Sequence, residues 1–130
     1  MKKMNKVLMV MVVAVILMFT VSIVMAGSGT LTWTDPTTRA DGSAFNPATD
    51  ALKHTLYYGL QSAITPTNYT TKVDLGATVT SMTLTTLPAG ATTYAIVTIT
   101  DKQNLESAAS NIASKSIPQS KPGTCILQFN

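Results

Sequence analysis

The chain has 130 residues, 45% of them hydrophobic and 12% charged, with a formal net charge of +3 at pH 7. That is enough for one small domain. One His and one Cys allow neither an intrachain disulfide nor a zinc site, and the scattered Lys and Arg supply no field for nucleic acid.

The first segment, residues 1–26, stands apart. Lys2, Lys3 and Lys6 precede an uncharged run, residues 7–25, made mostly of Val, Leu, Ile and Met. Val24-Met25-Ala26 then offers a small-residue cleavage point. This order is that of a secretory signal peptide. The alternative is an uncleaved anchor, because the run is close to the shortest that spans a bilayer. Removing the three lysines leaves six Lys and Arg against six Asp and Glu, so the basic balance belongs to this segment. A neutral remainder has little charge repulsion to oppose self-association. The expected location is secreted, periplasmic or cell-surface.

Residues 27–118 read as a chain of short strands separated by turn residues, the pattern of an all-β fold. The first strand spans about residues 29–34, with Leu31 and Trp33 inward, and Asp35-Pro36 ends it because Pro cannot donate to a ladder. Residues 37–50 form a long polar loop. The second strand, about residues 52–59, turns Leu52, His54, Leu56 and Tyr58 to one face and Lys53, Thr55 and Tyr57 to the other. A turn around Pro66 leads to an edge strand at about residues 69–75. Residues 81–87 follow, with Met82 and Leu84 inward. Pro88-Ala89-Gly90 makes a corner. Residues 92–101 are the longest β-branched run and the best central strand, with Thr93, Ala95, Val97 and Ile99 as its inward face. The last strand spans about residues 111–117. Pro118, Pro122 and Gly123 then mark a connector, followed by the apolar tail "TCILQFN" within residues 119–130.

Five stretches in order, "LTWTDPTTRADGS", "LKHTLYYG", "VDLGATVTSMTLTTLPAG", "TTYAIVTITDKQNLES" and "ASNIASKSIP", cover about residues 30–118. Together they resemble a bacterial-type fibronectin type III domain. The resemblance implies an immunoglobulin-like β-sandwich of six or seven strands, without catalytic machinery, used for adhesion, spacing and contact with protein or carbohydrate. It places Trp33 as the core tryptophan of the second strand of that family. Three departures stand out. His54 occupies a position that is usually an inward aromatic. Thr93, with Tyr94 beside it, replaces the corner tyrosine. The family's first strand, A, is missing, because only Gly27, Ser28 and Gly29 separate the cleavage point from the Trp33 strand. A missing first strand leaves an open sheet edge, which invites strand addition. In the tail, Cys125, Leu127 and Phe129 alternate with Ile126 and Gln128, as an added strand from the same or a neighbouring chain would. Cys125 is also a candidate for an interchain disulfide.

No constellation points to catalysis. A nucleophile needs a base within reach, and the single histidine sits on an inward position of a central strand. The expectation is therefore no enzyme and no cofactor. Asp35, Asp41 and Asp50 border one loop but lack the spacing of a calcium loop, so no metal is expected. Asn68-Tyr69-Thr70 fits a glycosylation sequon. The partner-contact candidates are Tyr57, Tyr94 and Ile96, expected to face outward from neighbouring strands as an exposed patch suited to a protein or a sugar. These features predict an exported, non-catalytic binding or spacer module. The alternatives are a self-assembling subunit completed by its tail, and an accessory domain tethered to a membrane through residues 1–26.

Overall fold

The computed structural model describes residues 27–119. Six strands and one helical turn succeed one another: β1 (Gly27–Thr32), α1 (Pro47–Asp50), β2 (Ala51–Gly59), β3 (Thr71–Gly76), β4 (Ser81–Leu87), β5 (Thr92–Asp101) and β6 (Ala113–Ser116). The fold is all-β, in two antiparallel sheets. One holds β1 and β4; the other runs β3-β2-β5-β6. The strands stand where alternation and β-branching put them. The helical turn interrupts the expected 37–50 loop. Asn46 caps it through Oδ1, which accepts from the Ala48 N–H, and Pro47 opens it.

The two sheets meet over one apolar layer. Leu56 of β2, Leu84 and Leu87 of β4 and Ala95 of β5 are buried together, with Leu31, Val73, Leu75 and Met82 packed around them. β5 alternates as expected: Thr93, Ala95 and Ile99 are buried on the inner face and Val97 is half-buried. His54 is also inward and 1% exposed.

Two expectations fail for physical reasons. Leu52 does not join His54 and Leu56 inside; it is 45% exposed. The β2–β5 register slips between Ala51 and Lys53, and this bulge throws Leu52 out while Ala51 turns in against Phe45 and Ile99. The second failure concerns Tyr57, Tyr94 and Ile96. The structure does bring them together on the outer sheet face, with Tyr57 paired opposite Ile96. They are not an exposed patch: Tyr57 and Ile96 are buried and Tyr94 is half-buried. The β2–β3 connection folds back over them. Thr65 and Asn68 exchange backbone hydrogen bonds around Pro66, and this tight turn seats Ile64 on the pair. Tyr69 packs against Tyr57 with the rings tilted by 57° and 4.9 Å between centroids. A short loop thus does what a second layer does elsewhere, and covers an apolar face that water disfavours.

Tyr57 is fastened from the other side as well. Its hydroxyl donates to Glu106 Oε1 at 2.9 Å, and Thr98 Oγ1 donates to the same oxygen at 2.6 Å. Burial, then the Glu106 carboxylate, push the phenol up to about 12.

Candidate functional site

β1 and β4 are too few to cover the whole inner face of the four-stranded sheet. Beyond them, at the end of β5, a cleft of about 670 Å³ opens. His54, Val97 and Ile99 form its floor. One wall is the chain that leaves β1, from Trp33 to Asp41, with Phe45; the other is the segment from Leu105 to Ser110. Such a volume falls within the range of small-ligand and side-chain pockets.

The second wall stands because it finishes the sheet. β6 pairs with only the first half of β5. Along the second half, Ser107 N–H donates to Ile99 O and Ser110 N–H to Val97 O. The two serine hydroxyls accept from the Ile99 and Val97 N–H groups, each at 3.1 Å. Side-chain oxygens thus take the place of a neighbouring strand's carbonyls, and the chain between them is free to bow outward. The turn into this wall is held by Asp101, whose Oδ1 accepts from the Gln103 and Leu105 N–H groups at 2.9 Å. Asn104 adopts a left-handed φ of 63° there, a conformation Asn tolerates.

Arg39 ties the walls together. Its guanidinium donates to Asp101 Oδ2 and lies 5.1 Å over the Phe45 ring. Asp50 is 4.0 Å away on the other side. The Arg39 hydrogen bond, then the Leu105 N–H, hold the Asp101 carboxyl below its ordinary range, and Asp101 in turn raises Arg39. The other loop acids are turned to local work. Asp41 accepts from the Ser43 hydroxyl and N–H, and Asp50 accepts from the Asn46 N–H and the Thr49 hydroxyl. Among the described residues no group of three His, Cys, Asp or Glu side chains is placed to hold a metal.

Trp33 departs from its expected place in the core. It is half-buried and lines the cleft, stacked obliquely on His54 at 5.6 Å and 53°. Its backbone N–H still donates to Thr80 O, which extends the β1–β4 pairing by one residue. Its indole Nε1 is shielded from solvent and has no acceptor among the described residues. Beneath it, His54 Nε2 lies 2.7 Å from Asp35 Oδ1, and Nδ1 lies 3.2 Å from Gly76 O. Both ring nitrogens are therefore engaged, and neither is free to take a proton from a nucleophile.

These ionisable side chains of the cleft thus engage one another: His54 with Asp35, Arg39 with Asp101. Trp33 Nε1 is left as a shielded N–H without an acceptor among the described residues, in a cleft also lined by the apolar Phe45, Val97 and Ile99. Sequence reasoning placed His54 inward but did not assemble Asp35, Arg39 or Asp101 around it. One signal was present. Asp35 continues the inward phase of Leu31 and Trp33, which puts a carboxylate beside any inward partner on the facing strand. Cys125, Leu127 and Phe129 lie outside the described residues, as does residues 1–26; among the described residues no helix is long and apolar enough to cross a membrane. No family model, no curated protein and no solved structure matches this chain.

Proposed function

We propose that this chain is a non-catalytic, exported binding module of fibronectin type III-like architecture, acting at a cell or particle surface. We further propose that it takes a protein partner in the cleft beside Trp33. The observation that carries the reading is the buried Trp33 Nε1 without an acceptor among the described residues, in a cleft where Asp35 already engages His54 and Asp101 engages Arg39. A shielded donor left unpaired costs about 1–3 kcal/mol. A partner carbonyl that reaches it recovers that cost on binding.

The chemistry favours a peptide segment over a sugar. A sugar carries several hydroxyls into the site, each needing a partner, and the His54 ring and the Arg39 guanidinium of the cleft are already engaged by Asp35 and Asp101. A peptide loop with one apolar side chain over Val97 and Ile99 and one carbonyl toward Trp33 meets both demands. The non-catalytic reading is supported by the engaged ring of the only histidine. The fibronectin-like reading is supported by strand order: the strand leading to Trp33 pairs with β4, and the strand ending in Tyr58-Gly59 pairs with β5 in the facing sheet.

The test is selection of peptides from a displayed random library on the full chain, followed by titration against the parent and Trp33→Phe. The expected result is a set of peptides that share an apolar anchor and lose at least roughly tenfold in affinity in the variant, the weight of one hydrogen bond. Peptides that bind both proteins equally, or selective binding of glycans in a parallel array, would overturn the reading.

A further inference from the structure

A second opening lies on the far side of the molecule, between β1 and β6. It is a groove of about 210 Å³ lined by Leu31, Leu84, Leu87 and Ala95, with Thr93 at its base. Of the inward positions of β1, Gly27, Gly29 and Leu31, Gly29 supplies no side chain at the groove, while the Ile117 side chain fills the place beside Gly27. Thr93 Oγ1 is buried here with no hydrogen-bond partner among the described residues.

The groove runs beside an open edge. Trp33 N–H bonds Thr80 O, which sets the phase of the β1–β4 ladder: alternate residues Leu31 and Trp33 bond β4. The N–H and C=O groups of Thr30 and Thr32 therefore point the other way, where no described strand pairs with them. An unpaired edge next to an uncovered apolar groove is an incomplete sheet.

The end of the described chain lies at the mouth of this groove. A Cβ on Gly27 would collide with the Ile117 side chain, and one on Gly29 would touch Lys115. β6 thus runs antiparallel to β1 and ends beside its first residue. Gln119 lies against Gly90, at the same end of the molecule. Residues 120–130 follow. The stretch up to Gly123 is long enough to turn, at ~3.3 Å per extended residue. Residues 124–129 match the six residues of β1 in length.

We infer that residues 124–129 dock as a strand along the free edge of β1 of their own chain, running parallel to it. Cys125, Leu127 and Phe129 turn into the groove, and Ile126 and Gln128 turn out. The tail's main chain satisfies Thr30 and Thr32, and its apolar face covers Leu31, Leu84 and Leu87. This inference uses a different surface from the cleft and stands independently of the proposed partner.

Hydrogen exchange on the full chain tests it. The Thr30 and Thr32 amides are expected to be protected at least roughly 100-fold over the unstructured rate. The double variant Leu127→Asp/Phe129→Asp should release both while Leu56 and Ala95 keep their protection. In the parent, Cys125 should react with a thiol reagent at least roughly tenfold more slowly than in urea, a readout that needs no variant. Unprotected Thr30 and Thr32 amides, or a Cys125 thiol that reacts at the free rate, would overturn the inference. Protection that survives the double variant would assign the edge to another segment. Protection that grows with concentration alongside a dimer mass would assign it to a second copy, and either result refutes docking of the chain's own tail.

Discussion

Replacing Trp33 with Phe separates a core role from a binding role. Two terms oppose each other. The variant removes a shielded N–H that has no acceptor among the described residues, relieving about 1–3 kcal/mol. It also removes part of a half-buried ring, about two CH2 equivalents, which costs ~1–2 kcal/mol. The net change in folding free energy is expected within about 1 kcal/mol of zero. A fully packed core tryptophan cut down to Ala loses ~3–5 kcal/mol by comparison. Trp33 is the only tryptophan, so urea unfolding of both proteins is followed by circular dichroism and not by fluorescence. A loss above about 3 kcal/mol in Trp33→Phe would mean that the indole N–H is engaged in the free protein, and the argument for a waiting donor would fail.

Other consequences follow from the packing. Leu56→Ala is expected to cost about 2–5 kcal/mol, while Leu52→Ser, at the bulge, should stay within about 0.5 kcal/mol of the parent; chemical denaturation of both checks that the register slip is real. Tyr57→Phe removes a bond to a carboxylate and should cost about 1.5–3 kcal/mol, measured the same way, with Thr98 still bonded to Glu106. Asp101 and Asp74 have folded pKa values below their ordinary range, Asp101 through Arg39 and Asp74 through Lys53. Their stabilisation is present above the unfolded value near 3.9 and is lost as pH falls through the folded value. Midpoints of urea unfolding should therefore drop steeply below about pH 4, and less steeply in Asp101→Asn. Tyr57 has the opposite sign: its phenol is raised to about 12, so its contribution holds below the unfolded value near 10 and is lost as pH rises toward 12.

Periodicity made the strands legible because each is short, β-branched and bounded by turn residues. β4 and β5 lie where alternation puts them, and Thr93, Ala95 and Ile99 face inward as expected. Leu52 was misread because a bulge leaves no mark in hydrophobicity; it is a property of two strands and not of one. The outer patch was misread for a related reason. Tyr57 and Ile96 alternate outward correctly, but whether outward means exposed depends on Ile64, delivered by a turn that sequence reading treated as connection only. The cleft was least legible. Its residues come from the chain after β1, from mid-β2 and from the end of β5 with the loop that follows. Only the topology joins them, and the serines that hold its second wall resemble any loop serine until their hydroxyls are seen accepting from β5.

In the proposed function, Trp33 is the donor that a partner engages. A single tryptophan gives a single indole N–H signal in a nitrogen–proton spectrum, and its response to a selected peptide is the most direct test. A downfield shift and slowed exchange of that signal are expected, with further changes confined to His54, Val97, Ile99 and the Leu105–Ser110 wall. A peptide that binds while the indole signal stays fixed, with changes gathered elsewhere on the sheets, would contradict that role of Trp33.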